Sequence, residues 1–116
     1  MKSPLISIIM NCFNSDKYLK DAIDSVYAQT YKNWEIIFWD NASTDKSSSI
    51  AKSYDDKIKY FYSDETTSLG KARNLALKKV KGEFISFLDC DDLYFPEKLK
   101  IQIELMLSRN YVMSYG

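Results

Sequence analysis

Apolar runs and amphipathic stretches alternate along this chain from one end to the other. Leu5-Ile6-Ser7-Ile8-Ile9-Met10 is nearly all apolar and rich in β-branched residues, the pattern of a strand buried on both faces. Leu19, Ala22, Ile23 and Val26 follow at helical spacing, with Lys20, Asp21 and Asp24 opposite and Asn14, Ser15 or Asp16 available as N-cap. The pattern then repeats. Trp34-Glu35-Ile36-Ile37-Phe38-Trp39 predicts a second buried strand, and Ser47 to Tyr54 a short helix. Ile58-Lys59-Tyr60-Phe61-Tyr62 alternates like a third, more exposed strand, and Leu69 to Val80 reads as a helix closed by Gly82. Phe84-Ile85-Ser86-Phe87-Leu88 is the fourth strand. Pro96 opens a helix with Leu99, Ile103, Met106 and Leu107 on one face, and Tyr111 to Tyr115 begins a fifth strand.

Strands and helices alternating at this length predict an open, doubly wound α/β fold. The sheet is mostly parallel, with right-handed crossovers and helices on both faces. In such sheets the binding crevice lies beyond the carboxyl ends of the strands. Asn11 to Asn14, Asp40 to Asp45 and Asp89 to Asp92 each directly follow an apolar strand, so the polar loops gather there.

Composition narrows the chemistry. With 116 residues, 46% of them hydrophobic, one domain with one core is expected. Sixteen basic residues balance sixteen acidic ones without long blocks of either sign, which argues against nucleic acid as a partner. No apolar run is long enough for a membrane span or a signal-peptide core, and a cytoplasmic protein is expected. The chain has no histidine, which excludes Ser-His-Asp triads, Cys-His pairs and most zinc hydrolases. Two cysteines, Cys12 and Cys90, are too few for a disulfide scaffold and are read as reduced, small side chains at tight turns.

Carboxylate and metal chemistry remains. If the fourth strand stays extended, Asp89 and Asp91 point the same way and face one ligand, and two convergent carboxylates call for a hard divalent ion. Mg²⁺ or Mn²⁺ takes one or two carboxylates and completes its shell with water and phosphate oxygens, which points to a phosphorylated substrate. Asp91 and Asp92 have a second account, as turn and cap residues ahead of the next helix. Asp40, after Trp39, is placed to accept an N–H from a nucleotide base, while Asn41 to Asp45 read as local turn chemistry. Arg73 falls inside the apolar stripe of its helix. Its guanidinium either snorkels to the crevice and meets a diphosphate, or pairs with Asp64 or Glu65.

Taken in order, Ile6 to Met10, Phe13-Asn14, Trp39-Asp40-Asn41-Ala42-Ser43-Thr44-Asp45, Ala72-Arg73-Asn74 and the segment 82–92 resemble a family 2 glycosyltransferase. Ala22-Ile23-Asp24-Ser25-Val26 with Gln29-Thr30-Tyr31, and Pro96-Glu97-Lys98-Leu99, extend the likeness over nearly the whole chain. The resemblance implies a GT-A fold, a nucleotide-diphosphate sugar donor, chiefly a UDP-sugar, and Mn²⁺ or Mg²⁺. It makes Asp40 the acid that binds the base. Asn11, Cys12, Phe13 and Asn14 become the loop lining the nucleotide, and Arg73 the arginine facing its phosphates. Asn41 and Cys90 fall among the donor-binding positions. Asp89 and Asp91 match the D-x-D pair, the first by the ribose or a metal-bound water, the second on the metal. It further implies a saccharide or lipid-linked acceptor, a role in polysaccharide or cell-envelope synthesis, and work at the inner face of the membrane through partners.

Asn41 stands where the family often has a second Asp, and Ala42 where it often has Gly. The family also continues into an acceptor-binding segment that supplies the general base. The chain is therefore expected to be a donor-binding domain over residues 1–116, inactive in transfer by itself and prone to self-association through uncovered apolar surface. A structural or inactive nucleotide-binding α/β module is the alternative, and a nucleotidyltransferase a more distant one, since its early glycine-rich loop is missing. A receiver domain fails at Asn11-Cys12-Phe13-Asn14, where an acidic pair belongs.

Overall fold

The computed structural model describes residues 4–64 and 68–109. Eight elements follow in the order β1 (Ile6–Cys12), α1 (Asp16–Tyr27), β2 (Trp34–Asn41), α2 (Ser47–Lys52), β3 (Ile58–Ser63), α3 (Leu69–Leu77), β4 (Phe84–Phe87) and α4 (Lys98–Arg109). The four strands form one parallel sheet in the order β3-β2-β1-β4. The order reverses beside β1, and the crevice at that switch opens beyond Cys12, Asn41 and Phe87. The fifth strand expected at Tyr111 to Tyr115 lies outside the described residues.

Both faces of the sheet carry a core, which explains why β1 and β2 read as unbroken apolar runs. Ile6, Ile8, Met10 and Cys12 of β1 join Trp34, Ile36 and Phe38 of β2 on one face, under Leu19, Ile23 and Val26 of α1, Ala51 of α2 and Leu99 and Ile103 of α4. Ile9, Ile37, Trp39 and Phe87 occupy the other face beneath Ala72 and Ala76 of α3. Side chains alternate between these faces along each strand. That parity decides which polar residues reach which side of the crevice.

The end of the sheet opposite the crevice is tied by a polar knot. The Ser7 hydroxyl donates to buried Glu35 at 2.6 Å, and the Lys81 amide donates to the same carboxylate oxygen at 3.0 Å. The Gly82 amide donates to Ser7 Oγ at 2.8 Å. Gly82 has no positive φ and does not cap α3, which already ends at Leu77; its role is close approach. A Cβ there would stand 2.6 Å from Ser7 Oγ, 2.7 Å from Ser7 N and 2.8 Å from Leu5 O. Two of those neighbours are backbone, so Gly82→Ala is expected to lower stability by about 3 kcal/mol in a urea titration.

Gln29 is fully buried and holds the chain beyond β4 in place. Its amide nitrogen donates to Phe95 O at 2.8 Å and to Ser25 O at 3.1 Å, while its oxygen accepts from Leu99 N at 3.0 Å. The segment linking the acidic loop to α4 is therefore anchored on the end of α1.

Candidate functional site at the carboxyl edge of the sheet

The loops after β1 and β2 are clasped together by reciprocal hydrogen bonds. Asn14 N donates to Ser43 Oγ at 2.9 Å, and Asn14 Oδ1 accepts from Thr44 N at 2.7 Å and Asp45 N at 3.3 Å. Asp16 N donates to Asp45 Oδ2 and Ser15 N to Ser47 Oγ, and Lys46 N donates back to Asp16 Oδ2. Burial pushes the Asp45 carboxyl up, but hydrogen bonds from Ser47 and Asp16 outweigh it and hold the group below the ordinary carboxylate value. The Asn14 side-chain oxygen is thus committed to the neighbouring loop. The clasp needs left-handed backbone at Asn14 (φ 46°) and Ala42 (φ 64°). Asn tolerates that region and Ala does not. Ala42→Gly is expected to stabilise the chain by about 0.5 kcal/mol, the strain relieved less the added freedom of the unfolded chain, read from the thermal midpoint.

Asp40 lies elsewhere than the sequence reading puts its carboxylate. Its parity in β2 is that of Ile36 and Phe38, so it points toward the α1/α2/α4 face and is fully buried. Ser43 N donates to Oδ1 at 2.9 Å and the Tyr60 hydroxyl donates to Oδ2. Burial, and then this bond to Asp40, push the Tyr60 hydroxyl up to about 12, so it stays a donor. Both oxygens are engaged and the side chain has no exposed surface, so in this structure Asp40 builds the turn after β2. Tyr60, an ordinary alternating residue in sequence, is its unforeseen support.

Asn41, one residue on, takes the opposite parity with Ile37 and Trp39 and faces the side covered by α3. Asn11 of β1 and Arg73 of α3 stand on that side too. The Arg73 guanidinium lies 5.4 Å from the Phe87 ring centre and 3.9 Å from Asp89 Oδ1, with the side chain 39% exposed. Of the two accounts of Arg73, the ion pair is present, with Asp89 in place of Asp64, while Glu65 lies outside the described residues. Arg73, Asn11, Asp89, Ile9, Phe87 and Leu88 line a notch of about 10 Å³, room for one water-sized group. Two buried polar atoms on this face, Asn11 Oδ1 and Trp39 Nε1, have no hydrogen-bond partner among the described residues. Native interiors rarely leave such atoms unpaired.

β4 stops at Phe87, and Asp92 N donates to Asp89 O at 3.1 Å, so the acids sit on a turn and not on an extended strand. Strand alternation therefore does not align Asp89 with Asp91. Both are nevertheless exposed and line one depression of about 510 Å³ with Asn11, Asn14, Lys17 and Tyr18. Lys17 and Tyr18, in the first turn of α1, looked like ordinary surface residues in sequence. Phe13 is half exposed beside this edge.

Cys12 and Cys90 correct the reading of two reduced, separate thiols. Both side chains are buried, Cys90 at the wall of the depression, and their sulfurs are joined as a disulfide. Among the described residues, no group of three or more acidic, Cys or His side chains forms a metal cage. What is present suits an ion that keeps water and takes phosphate oxygens, with one or two carboxylates from the protein.

The family model described as Glycosyl transferase family 2 matches residues 7–116. The chain belongs to glycosyl transferase family 2. This family 2 chain is 50% identical over 104 residues to an uncharacterised glycosyltransferase of Rickettsia typhi, covering 90% of the chain and 32% of that protein. It is 38% identical to an Escherichia coli UDP-Glc:α-D-GlcNAc-diphosphoundecaprenol β-1,3-glucosyltransferase, covering 100% of the chain and 46% of that enzyme. Its fold matches Staphylococcus aureus TarS solved with UDP-GlcNAc at a TM-score of 0.85 and 31% identity, over 90% of this chain and 32% of that one. A Pyrobaculum calidifontis mannosyltransferase solved with GDP-Man and Mn²⁺ matches at 0.73 and 26%, over 80% of this chain and 29% of that one. The family 2 chain thus spans a third to a half of the length of these relatives. The GT-A architecture expected from the resemblance is present.

Proposed function

We propose that this chain binds the donor of a glycosyl transfer, a nucleotide-diphosphate sugar of the UDP type, along the edge running from Asn41 past Arg73 to Asp91. The observation that carries the reading is the pair of unpartnered buried atoms, Asn11 Oδ1 and Trp39 Nε1, on the face that also holds Arg73. Asn41, at the end of β2 on the face that also holds Arg73, takes the base-reading role; an amide can accept from uracil N3–H and donate to a ring carbonyl. Phe13 supplies an exposed ring for stacking. Arg73, already beside Asp89, meets the diphosphate as a charge-assisted donor.

Asp91, with Asp89 beside it, would hold the divalent ion. Bound there, the ion neutralises the diphosphate as leaving group and acts as Lewis acid and template. The protein's own part is to fix the loops around the donor, which the clasp and Gln29 do. Asp89 and Asp91 are the carboxylates that line these two depressions, which suits them to the donor's ion and diphosphate. The acceptor is a saccharide or lipid-linked saccharide, the class named for the E. coli relative. No described helix is long and apolar enough to cross a membrane.

Titration calorimetry with UDP and Mn²⁺ tests the reading. Micromolar binding that needs the metal, and that weakens roughly tenfold in Asn41→Ala through loss of base contacts, is the expected result. Absence of heat with UDP, GDP and other nucleoside diphosphates would refute it.

A further inference from the structure

The Cys12–Cys90 pair occupies a position that a structural core bridge has no need of. Cys12 is the last residue of β1, and Cys90 sits between the two acids Asp89 and Asp91. Their Cα atoms are 6.1 Å apart, a spacing that admits a disulfide without backbone movement. They are the only two cysteines in the chain. The backbone near them explains what the bridge does. Leu88 N donates to Ile9 O at 3.0 Å, and the next tether beyond the acids is Tyr94 N on Ser25 Oγ at 3.1 Å. Between these anchors the Asp92 to Asp89 hydrogen bond closes the turn on itself, and the Arg73–Asp89 pair at 3.9 Å is a long, solvent-exposed contact. The sulfur bridge therefore pins the middle of the acidic turn to β1.

We infer that Cys12 and Cys90 form a reversible redox staple, oxidised by small hydroperoxides and reduced by dithiols, that fixes or frees the turn carrying Asp89 and Asp91. Cys90 is 5% exposed against 1% for Cys12, and it lines the 510 Å³ depression, so a small oxidant reaches it first. The Cys90 sulfur attacks the terminal peroxide oxygen; the O–O bond breaks, water leaves from hydrogen peroxide or an alcohol from an organic hydroperoxide, and a sulfenic acid remains. The Cys12 thiol then displaces that hydroxyl as water, and the S–S bond forms. Two thiols lose two electrons and two protons, and the hydroperoxide takes up both. A dithiol reverses the step by exchange and leaves as its own cyclic disulfide. The effect on ligand affinity rests on the donor reading above: a turn held in place loses less freedom when it binds an ion and a diphosphate.

The test treats the full 116-residue chain with hydrogen peroxide and then with dithiothreitol. Peptide mass spectrometry follows the Cys12–Cys90 link, and hydrogen exchange follows the amides of residues 89–92. The expected result is a link that forms and is released, with exchange at those amides slowed on the order of tenfold in the linked form while β2 is unchanged. In Cys12→Ala the link is absent and exchange no longer responds to peroxide. Over-oxidation of Cys90 without a link, or a link that leaves exchange at 89–92 unchanged, overturns the staple. Calorimetry with Mn²⁺ and UDP on both forms separates the two readings. Exchange that switches in a chain that binds no nucleotide in either form sustains the staple and refutes the donor site, whereas several-fold tighter binding in the linked form supports both.

Discussion

Asp91→Ala is expected to abolish the metal dependence of UDP binding and to weaken affinity in Mn²⁺ on the order of 100-fold, or ~3 kcal/mol. Asp91 is exposed, lines the wider depression and has no part in the packing of the sheet. The variant should therefore unfold at the wild-type urea midpoint, which makes the loss of affinity a statement about the ion and not about folding. Asp89→Ala is expected to act differently. It removes the carboxylate 3.9 Å from Arg73, so part of its effect persists when Mn²⁺ is replaced by a chelator. Affinity that is the same with and without Mn²⁺ in the wild-type chain would remove the ion from this account. Binding lost equally in both conditions for Asp91→Ala would make that residue a direct nucleotide contact.

The second large effect concerns Asp40 and is one of stability. Asp40→Ala leaves the buried Ser43 amide without its acceptor and the part-buried Tyr60 hydroxyl with one partner fewer, and a loss of about 3 kcal/mol is expected. Set against the ~5–15 kcal/mol that holds a domain of this size, that is a substantial share of the total and a clear shift of the urea midpoint. Asp40→Asn keeps an oxygen for Ser43 and lets the Tyr60 oxygen accept from the new amide, so it should cost far less. The asparagine variant also decides the assignment. If it stays folded and binds UDP as the wild type does, Asp40 is a support for the turn; if it stays folded and loses UDP, the base is read by Asp40 after all, and Asn41 is not its reader.

The side of the sheet to which Asp40 turns was not legible, for a physical reason that no finer reading of the strand would have removed. β2 is apolar on both faces, Ile36 and Phe38 on one and Ile37 and Trp39 on the other, so the hydrophobic pattern fixes that the segment is a strand without telling which face borders the ligand. Only the placement of α3, and with it Arg73, breaks the tie. The element order was legible because helical spacing in α1 and the strand runs were unambiguous. The acids after β4 were legible as a cluster, and their arrangement was not: alternation holds while a strand lasts, and this one ends at Phe87, before the first acid. The two cysteines were legible as strand-end residues that neighbouring strands would bring close, but not as a bridge, for a related reason. Two cysteines separated by 78 positions become neighbours only once β1 and β4 are known to pair, and the sequence left the order of the strands open. Gly82 shows the converse. Its presence was noted, but as a helix terminator, and the close approach to Ser7 and Leu5 that excludes any side chain belongs to the packing of β1 against the turn before β4.

The reciprocal bonds between the loops after β1 and β2 make their lengths interdependent. Asn14 and Asp16 on one loop and Ser43, Asp45 and Ser47 on the other serve one another's backbone, so an insertion in either would strand donors on both. Drift in this part of the molecule should consequently proceed by matched changes on the two sides, or by substitution at unchanged length, and a swap of one loop alone between homologues should fail where a swap of the pair succeeds.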